Sequence, residues 1–442
     1  MDRGPLGILA CAGSLPIEIA EAAVSAGRGV HLVGIAGFAE PEIAAYSHEV
    51  VNLGQVGGML KSLRAAGCRE LVIAGALRRP NLLKVRVDHG FFRAIGTVLR
   101  LTRGGDDSVL RRIVRFFESE GFEVVGVDQV APHLLAGIGA LGRIAPRPEH
   151  LRAIARVSGV LRTLGTFDVG QGAVGTGDRI VAIEGVRGTD AMLEQVRAWQ
   201  AEAGSASSEN RDLADAVLVK LPKPGQEMRV DLPAIGPRTV ERAHACGLAG
   251  IVVAAGRALV LERSQMVAMA DQRGLFVFGI EDGPASNDVP RSDADSSPQI
   301  LRPLGWHRAK APERRDIELG TRVLAELKTH DAGRAVVVVG EHVQGIDGGL
   351  GIRRLLSGLG RSSHWGLRVF KRRIGVLVVA SIEDIGRDAT DIDATLERVA
   401  AAGLAGVAVV GDGDSKPPTA LLQEYAGRHR LFALVLDGRR VA

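Results

Sequence analysis

The second half of the chain repeats the order of sequence patterns found in its middle. Residues 168–185 (DVGQGAVGTGDRIVAIEG) align without a gap with residues 331–348 (DAGRAVVVVGEHVQGIDG). Three further pairs of apolar segments follow in the same order: 216–219 with 375–378, 247–253 with 403–409, and 274–278 with 430–434. A repeat of roughly a hundred residues or more has the size of a domain, so the sequence predicts one domain that is present twice.

The two copies differ most in the polar loop that follows one apolar strand. The first copy reads LPKPGQEMRVDLP at 221–233, whereas the second reads VASIEDIGRDATD at 379–391. The apolar strands and the helix pattern are kept while this loop is replaced. That difference is expected when one copy carries the chemistry and the other is structural, so it favours the loop of the first copy as a functional site.

The loop of the first copy has residues that suit a phosphate ester. The run 216–219 predicts a buried strand that ends at Lys220, and the prolines and glycine that follow cannot continue it. Lys220 and Lys223 can neutralise phosphate oxygens, and Asp231 can hold a metal ion or orient a water molecule. Taken alone, the same residues are also compatible with a solvated loop of ordinary turn chemistry.

The N-terminal part alternates strands and helices. Apolar strands are predicted at 6–10, 31–37 and 70–77, with helices at 17–27 and 56–66 between them. This βαβαβ order predicts a parallel sheet with Rossmann-like winding. Gly13 and Ser14 lie at the end of the first strand, where backbone N–H groups can approach a phosphate. The full G-x-G-x-x-G spacing and an acidic end to the second strand are missing, so NAD binding is not predicted.

Composition narrows the class of protein. The chain has 442 residues, enough for two or three domains, and 46% of them are hydrophobic. The net charge of +4, from 55 basic and 51 acidic residues, fits an anionic ligand and gives no argument for nucleic acid. Three widely spaced cysteines and the lack of a signal-peptide pattern or of an apolar run of membrane-spanning length predict a cytoplasmic protein.

Three further segments each allow two interpretations. Residues 90–103 predict a basic amphipathic helix, either on an anionic membrane surface or packed on a core. Asp106 and Asp107 precede a helical pattern, where acids cap backbone N–H groups but can also ligate Mg²⁺. Thr189 and Asp190 begin another predicted helix, again either as capping residues or as ligand contacts.

Composition also places the domain boundaries. The Pro-containing stretch 143–150 marks a joint, and residues 281–299, in which Pro, Ser, Asp and Asn dominate, form a linker. The predicted domains are an N-terminal domain at 1–145, a C-terminal domain at 150–282, a linker at 283–300 and a degenerate repeat at 313–442.

Several motifs together resemble a known family, the UDP-2,3-diacylglucosamine pyrophosphatases of the LpxI type. The resemblance covers most of residues 5–281 and is most specific in KPGQ…VDLPAIGP. The motifs are Gly13, Leu15 and Pro16 of the first loop, GFAEPE (37–42), GDD with LR (105–111), DVGQ (168–171), GTDAML (188–193) and KPGQ…VDLPAIGP (223–237).

This resemblance implies a Rossmann-like N-terminal domain, an LpxI-type α/β C-terminal domain and a lipid nucleotide bound in the cleft between them. The implied reaction cleaves the pyrophosphate of UDP-2,3-diacylglucosamine with water, giving UMP and 2,3-diacylglucosamine 1-phosphate (lipid X), in lipid A biosynthesis. Mg²⁺ or another divalent metal is implied, and the family's key aspartate matches Asp231. The expected substrate contacts are Gly13, Ser14, Thr189, Asp190, Lys220, Lys223 and Gln226, and the expected metal ligands are Asp231, Asp106 and Asp107.

Two departures leave a second interpretation open. Arg187 stands where the family commonly has Glu, and the second copy is not a usual part of the family. A non-catalytic protein that binds the lipid nucleotide or regulates its use is therefore the alternative. We expect peripheral association with the inner membrane because the substrate carries acyl chains. A homodimer is an option, and the helix near 316–324 is expected to dock on the first copy or on a partner chain.

Overall fold

The structure is a computed structural model that describes residues 4–77, 88, 106–203, 213–282, 300–304, 309–359, 373–411 and 419–437. Its contacts divide the chain into two units. The first contains residues 1–138, 225–237 and 254–268, and the second contains 139–224, 238–253 and 269–442. The predicted helix at 90–103 and the linker residues 283–299 lie outside the described residues.

The secondary structure alternates strands and helices along most of the described chain. The strands are β1 (Leu6–Ala10), β2 (Val30–Ile35), β3 (His48–Val51), β4 (Glu70–Ala74), β5 (Glu123–Val124), β6 (Gly139–Ala140), β7 (Gly172–Gly175), β8 (Ile180–Ile183), β9 (Val217–Lys220), β10 (Ala234–Ile235), β11 (Gly250–Ala254), β12 (Leu259–Val260), β13 (Phe276–Ile280), β14 (Ile300–Leu304), β15 (Ala335–Val339), β16 (His342–Ile346), β17 (Val376–Val379), β18 (Gly406–Gly411) and β19 (Phe432–Asp437). The α-helices are α1 (Leu15–Ser25), α2 (Val56–Ala65), α3 (Asp106–Ser119), α4 (Val127–Val130), α5 (Pro148–Gly165), α6 (Gly188–Ala203), α7 (Pro237–Ala245), α8 (Arg263–Gln272), α9 (Ala311–Lys328), α10 (Ile352–Gly358), α11 (Ala389–Ala401) and α12 (Thr419–Arg428).

The first unit is built on a parallel sheet, as the βαβαβ pattern predicts. Its strand order is β3-β2-β1-β4-β5, and the paired strands are parallel. The central strand β1 is buried along its whole length, which is why it reads as a continuous apolar run. Helix α1 begins with Leu15-Pro16, since a proline at the first turn loses no helical hydrogen bond, and it buries Ile19, Ala20 and Ala23.

Two later segments of the chain complete the first unit. The strands β10 and β12 form a two-stranded parallel sheet in which Ala234 pairs with Leu259 and Ile235 with Val260. The N–H of Leu259 also donates to the carbonyl of Pro233 at 2.8 Å. Leu259 is itself part of the apolar core beneath β1. The segment that carries Asp231 is therefore fixed at its C-terminal side by backbone hydrogen bonds within this unit.

The second unit contains two mixed six-stranded sheets with the same arrangement. Their strand orders are β6-β13-β11-β9-β7-β8 and β14-β19-β18-β17-β15-β16. In each sheet the hairpin strand β7 or β15 is antiparallel to both of its neighbours, and β9–β11 and β17–β18 are parallel. In both sheets the interior strands are rich in valine and buried, which suits β-branched side chains in a sheet covered on both faces.

The tail of the chain has an apolar core of its own and also contacts the earlier part of the second unit. Its core joins buried side chains of β15, β17, β18 and β19 to those of α10, α11 and α12. Helix α9 lies against α5, where the Arg156 guanidinium donates to the carbonyl of His330 at 3.0 Å. Of the two docking options for the helix near 316–324, the structure therefore shows the one within the chain.

Candidate functional site

The strand β9 delivers the two lysines of the predicted loop. Lys220 is the last residue of β9 and is buried, with 8% of its surface exposed. Lys223 comes three residues after the end of the strand, and its Nζ donates to Asp168 Oδ1 at 2.6 Å. Asp168 lies just after α5 with a φ of 57°, a left-handed conformation that Asp tolerates better than most residues. In the second unit, an ion pair thus anchors the lysine loop to the end of α5.

Asp231 lies in the segment 225–237 of the first unit, and Gln226 holds it. Gln226 is buried and its Nε2 donates to Asp231 Oδ2 at 2.6 Å. The N–H of Asp231 donates to the carbonyl of Glu227 at 3.0 Å, which closes a turn just before the aspartate. Asp231 itself is partly exposed. A partly exposed carboxylate that an amide orients suits a group that must place a metal ion or a water molecule.

An arginine between these two residues fixes the same segment to the sheet of the first unit. The Arg229 guanidinium donates to both carboxylate oxygens of Glu227, at 2.8 and 2.9 Å, and to Glu118 of α3 at 2.7 Å. Hydrogen bonds from Arg229 lower the pKa of Glu227, and the same hydrogen bonds, donated to Glu227, are the largest effect that raises the pKa of Arg229. Charge-assisted, bidentate pairs of this kind are among the stronger side-chain interactions.

The first loop of the chain places Gly13 and Ser14 next to acidic side chains. The N–H of Gly13 donates to Glu40 Oε1 at 2.9 Å, and the Ser14 hydroxyl donates to Glu18 Oε1 at 2.7 Å. Gly13 has a φ of 96°, which is a reason for glycine at this position, and it is exposed. In this arrangement a carboxylate accepts the N–H that was expected to meet a phosphate, so a phosphate would have to displace Glu40.

Thr189 and Asp190 begin helix α6, as their capping pattern predicts, and both have protein partners. The Thr189 hydroxyl donates to Glu184 Oε2 at 2.9 Å. Asp190 lies 3.4 Å from the guanidinium groups of both Arg238 and Arg242. These contacts tie the start of α6 to the end of β8 and to α7 within the second unit.

The predicted metal ligands are described to different extents. Helix α3 begins at Asp106, which confirms that Asp106 and Asp107 begin a helix, while their side chains lie outside what the structure describes. At Asp231, the Gln226 amide donates to the carboxylate, while the backbone N–H of Asp231 donates to the Glu227 carbonyl. The roles of all three aspartates as metal ligands stay predictions.

A different group of potential ligands has another structural role. Glu149, His150 and Asp215 have ligand atoms that all lie within 4.8 Å of one another. However, the Arg147 guanidinium donates to Asp215 at 2.8 Å and lies 2.9 Å from Glu149, and the Arg147 N–H donates to His150 Nδ1. The Arg147 cation already pairs with both carboxylates, and the histidine closes the N-terminal turn of α5. This group therefore caps a helix and does not fit a metal ion.

The structure brings together some of the predicted residues and adds others. Gln226 and Asp231 are in direct contact in the first unit, and Lys220, Lys223, Thr189 and Asp190 belong to the second. Sequence reasoning assigned no role to Glu118, Asp168 or Glu184, each of which orients a predicted residue or its loop. Asp168 could have been found from its place in the DVGQ motif, whereas Glu118 gives no sequence signal because its partner lies 111 residues away.

Comparison with known proteins covers the first two thirds of the chain. The model of the LpxI N-terminal domain matches residues 5–134, and that of the LpxI C-terminal domain matches residues 137–278. The UDP-2,3-diacylglucosamine pyrophosphatase LpxI of Caulobacter vibrioides is 41% identical over 276 residues, which are 62% of this chain and 97% of that protein.

A solved murein peptide ligase from Psychrobacter arcticus has 11% identity and a TM-score of 0.20, over 98% of this chain and 91% of that one, and this likeness carries no argument. Among the described helices, none has the length and apolar character needed to cross a membrane. Both family domains match in sequence order, and the relative is matched over nearly its whole length. The chain belongs to the LpxI family.

Proposed function

We propose that this chain hydrolyses the pyrophosphate bond of UDP-2,3-diacylglucosamine. Water supplies the new P–O bond, the bridging P–O bond breaks, and the products are UMP and 2,3-diacylglucosamine 1-phosphate. The observation that carries the proposal is the complete KPGQ…VDLP segment in a chain 41% identical to a relative of that name, with Asp231 oriented by Gln226 at 2.6 Å. In this protein the reaction would be a step of lipid A biosynthesis.

The residues have separate roles in this proposal. Asp231 places the metal ion or the attacking water, because it is the carboxylate whose turn and partners are fixed by Glu227 and Gln226. Lys220 and Lys223 reduce the negative charge that resists attack on a pyrophosphate. Thr189, Asp190, Gly13, Ser14 and Gln226 remain the proposed substrate contacts.

Asp231 fits a role in holding Mg²⁺ or a similar divalent metal. Mg²⁺ usually keeps several of its waters and takes only one or two protein carboxylates together with phosphate oxygens of the substrate. A single, partly exposed aspartate on a fixed turn meets that requirement, with Asp106 and Asp107 as further proposed ligands. When bound, the metal would neutralise phosphate charge. The chain's own contribution is to orient the Asp231 carboxylate through Gln226 and the Arg229 pairs.

We also propose that residues 311–437 are a degenerate second copy of the domain that begins near residue 148. Helices α5 and α9 have the same length, 18 residues, and each is preceded by a residue whose N–H donates to the side chain three residues later. Asp168 and Asp331 both have left-handed backbone, with φ of 57° and 48°. Gly250 lies against Phe276 as Gly406 lies against Phe432. The parallel sheet of the first unit, with order β3-β2-β1-β4-β5, supports the Rossmann-like assignment.

The substrate's acyl chains require contact with lipid, so we propose peripheral association with the cytoplasmic face of the inner membrane. The segment 90–103 is the proposed contact, because its sequence combines phenylalanines with arginines. Sedimentation with vesicles of anionic lipid should show binding that weakens with salt and with charge reversal at Arg93 and Arg100. Binding that is unchanged in these variants would remove this segment from the proposal.

The assay that tests the function measures UMP release from UDP-2,3-diacylglucosamine by the purified full chain with Mg²⁺. Turnover that is lost with a chelator and restored by Mg²⁺ is the expected result. The fragment 300–442 is the matched control and should release no UMP, since it lacks the Lys-Pro-Gly segment. Tight binding of the substrate without UMP release would favour the non-catalytic alternative, which the departure at Arg187 motivates.

A further inference from the structure

The tail contacts the first copy of the repeated domain in a reciprocal way. The numbering shift between the copies is 163 in this region, as Asp168 aligned with Asp331 shows. At the edge strands, a side-chain carbon on Gly185 would lie 2.8 Å from the Gln344 carbonyl and 3.4 Å from Gly345. The equivalent of Gly185 is Gly348, and a side-chain carbon on Gly348 would lie 3.1 Å from Ala182, the equivalent of Gly345.

The helices repeat the same reciprocity. His330 follows α9 and lies beside Gly159 of α5, at 3.5 Å from the position of a side-chain carbon. Under the same shift, His330 corresponds to Phe167 and Gly159 to Arg322. The Arg322 guanidinium indeed lies over the Phe167 ring, 5.7 Å from its centroid. A contact between residues at one pair of positions is thus found again with the two copies exchanged.

At the centre of this interface, a residue of one copy contacts its own equivalent in the other copy. Gly358 is the equivalent of Gln195, and these two lie side by side. A cavity of about 40 Å³ beside them is lined by matched pairs from the two copies, Ile183 with Ile346 and Met192 with Leu355. Reciprocal contacts around a self-matched pair are the signature of an isologous interface, the kind that joins two identical subunits about a twofold axis.

We propose that the second copy covers, within one chain, a surface through which two first copies pair. The full chain is then monomeric, and the front part without its tail forms a dimer through β8, α5 and α6. This inference rests on the internal repeat proposed above and not on the hydrolase activity. Its physical basis is that β8 is an edge strand at which Gly185 admits a close backbone approach, and such an edge needs a cover.

The residue pairs at this surface indicate what would cover it in the absence of the tail. If a second front part replaces the tail, Gly159 meets Phe167, a small residue opposite a large one. Gly185 again meets only backbone and small side chains, because Ala182 replaces Gly345. Gln195 would face Gln195, and two carboxamides can donate to and accept from each other. The surface therefore suits a second copy of the front part.

Light scattering after size-exclusion chromatography tests the proposal. The full chain should have the mass of one chain, 46.5 kDa, over a hundredfold range of concentration. The fragment 1–282 should have twice its own mass. This fragment can be studied alone because the LpxI relative is a protein of about the same extent. The match covers 97% of that relative but only 62% of this chain. A dimeric full chain or a monomeric fragment would each overturn the proposal.

Two variants locate the surface. In the fragment, Gly185→Arg should restore the monomer with an unchanged far-ultraviolet circular dichroism spectrum, because the atoms nearest to this position all belong to the tail. Glu241→Arg, on the exposed side of α7, should stay dimeric. A dimeric Gly185→Arg fragment would refute this surface.

A third variant, Gly348→Arg in the full chain, needs no truncation. It should displace the tail and give paired chains, and a variant that stays monomeric would contradict the proposal. UMP release enters none of these measurements.

Discussion

The strands β9 and β17 occupy the same place in their sheets, yet the loops that follow them have opposite characters. After β9, Lys223 reaches Asp168 and the chain passes into the segment that carries Asp231. After β17, Ser381 and Asp384 close a local turn, with the Ser381 hydroxyl donating to Asp384 at 3.1 Å. Ile382 and Ile385 of that turn are buried in the core of the tail.

A second pair of equivalent carboxylates shows the same divergence. Glu184 accepts the hydroxyl of Thr189, a residue proposed to meet the substrate, at 2.9 Å. Its counterpart Asp347 accepts the N–H groups of Gly349 and Gly351, at 3.0 and 2.8 Å, and so stabilises a turn. The comparison teaches that similar buried strands can carry different polar contacts between them: one carboxylate accepts from a side-chain hydroxyl, and the other accepts from backbone N–H groups.

The largest effect is expected from the carboxylate that the tail lacks. Asp231→Ala should reduce kcat by roughly a thousandfold or more, because a group that places the metal or the water acts in the transition state. The fold should remain, since Asp231 is partly exposed. Steady-state UMP release and the melting temperature check this. Asp391→Ala, an exposed aspartate of the tail, is the matched control, and a folded Asp231→Ala variant with near-normal activity would remove Asp231 from the mechanism.

A smaller effect is expected from the arginine that fixes the Asp231 segment. Arg229→Ala breaks charge-assisted hydrogen bonds worth about 1.5–3 kcal/mol each, so kcat/KM should fall about tenfold to a hundredfold while Asp231 stays in place. Arg229→Lys should restore only part of the activity, because an ammonium group cannot bind both oxygens of Glu227 in the same plane. Arg387→Ala, in the exposed turn of the tail, should have normal activity. An equal fall in kcat/KM for Arg229→Ala and Arg387→Ala would show that the loss does not come from the contacts of Arg229 in the Asp231 segment.

The smallest effect is a difference in pH dependence between the two loops. The pKa of Glu227 is lowered by its hydrogen bond from Arg229, so its stabilisation is present above about pH 4.3 and is lost as the pH falls through the folded pKa. The pKa of Asp384 is raised, with burial as the largest cause, so the folded state favours its protonated form. The contribution of Asp384 to stability therefore increases, rather than decreases, as the pH falls.

Hydrogen exchange, corrected for intrinsic rates, should therefore increase in residues 225–231 between pH 5 and pH 3.5, with no comparable increase in residues 381–388. Glu227→Gln should remove the pH dependence of the first loop. A parallel increase in both loops, or the same pH dependence in Glu227→Gln, would contradict the assignment of this effect to the Glu227–Arg229 pair.

Local signals in the sequence predicted several strands and helices and the end of the strand that precedes the KPGQ…VDLP loop. The predicted strand at 6–10 is confirmed to the residue, and the helix at 56–66 ends one residue earlier than expected, at Ala65. Lys220 does end its strand. These predictions held because apolar runs, prolines and glycines act within a few residues of chain. The segment 221–237, after that strand, was predicted as a polar loop, but the structure forms the short strand β10 in it, because Ala234 and Ile235 find a partner in β12.

What the sequence determined by itself was elements such as β1, α2 and β9, the order of the repeated patterns and the family that the KPGQ…VDLP segment indicates. Those properties depend on neighbours in the chain and on periodicity. Only the tertiary structure decided that the 225–237 segment joins the first unit, that Arg229 pairs with Glu118, and that Gly185 and Gly348 lie against the strands β16 and β8. Each of these depends on contacts between residues far apart in the chain, and neither charge nor apolar pattern in one segment specifies which distant partner will complete it.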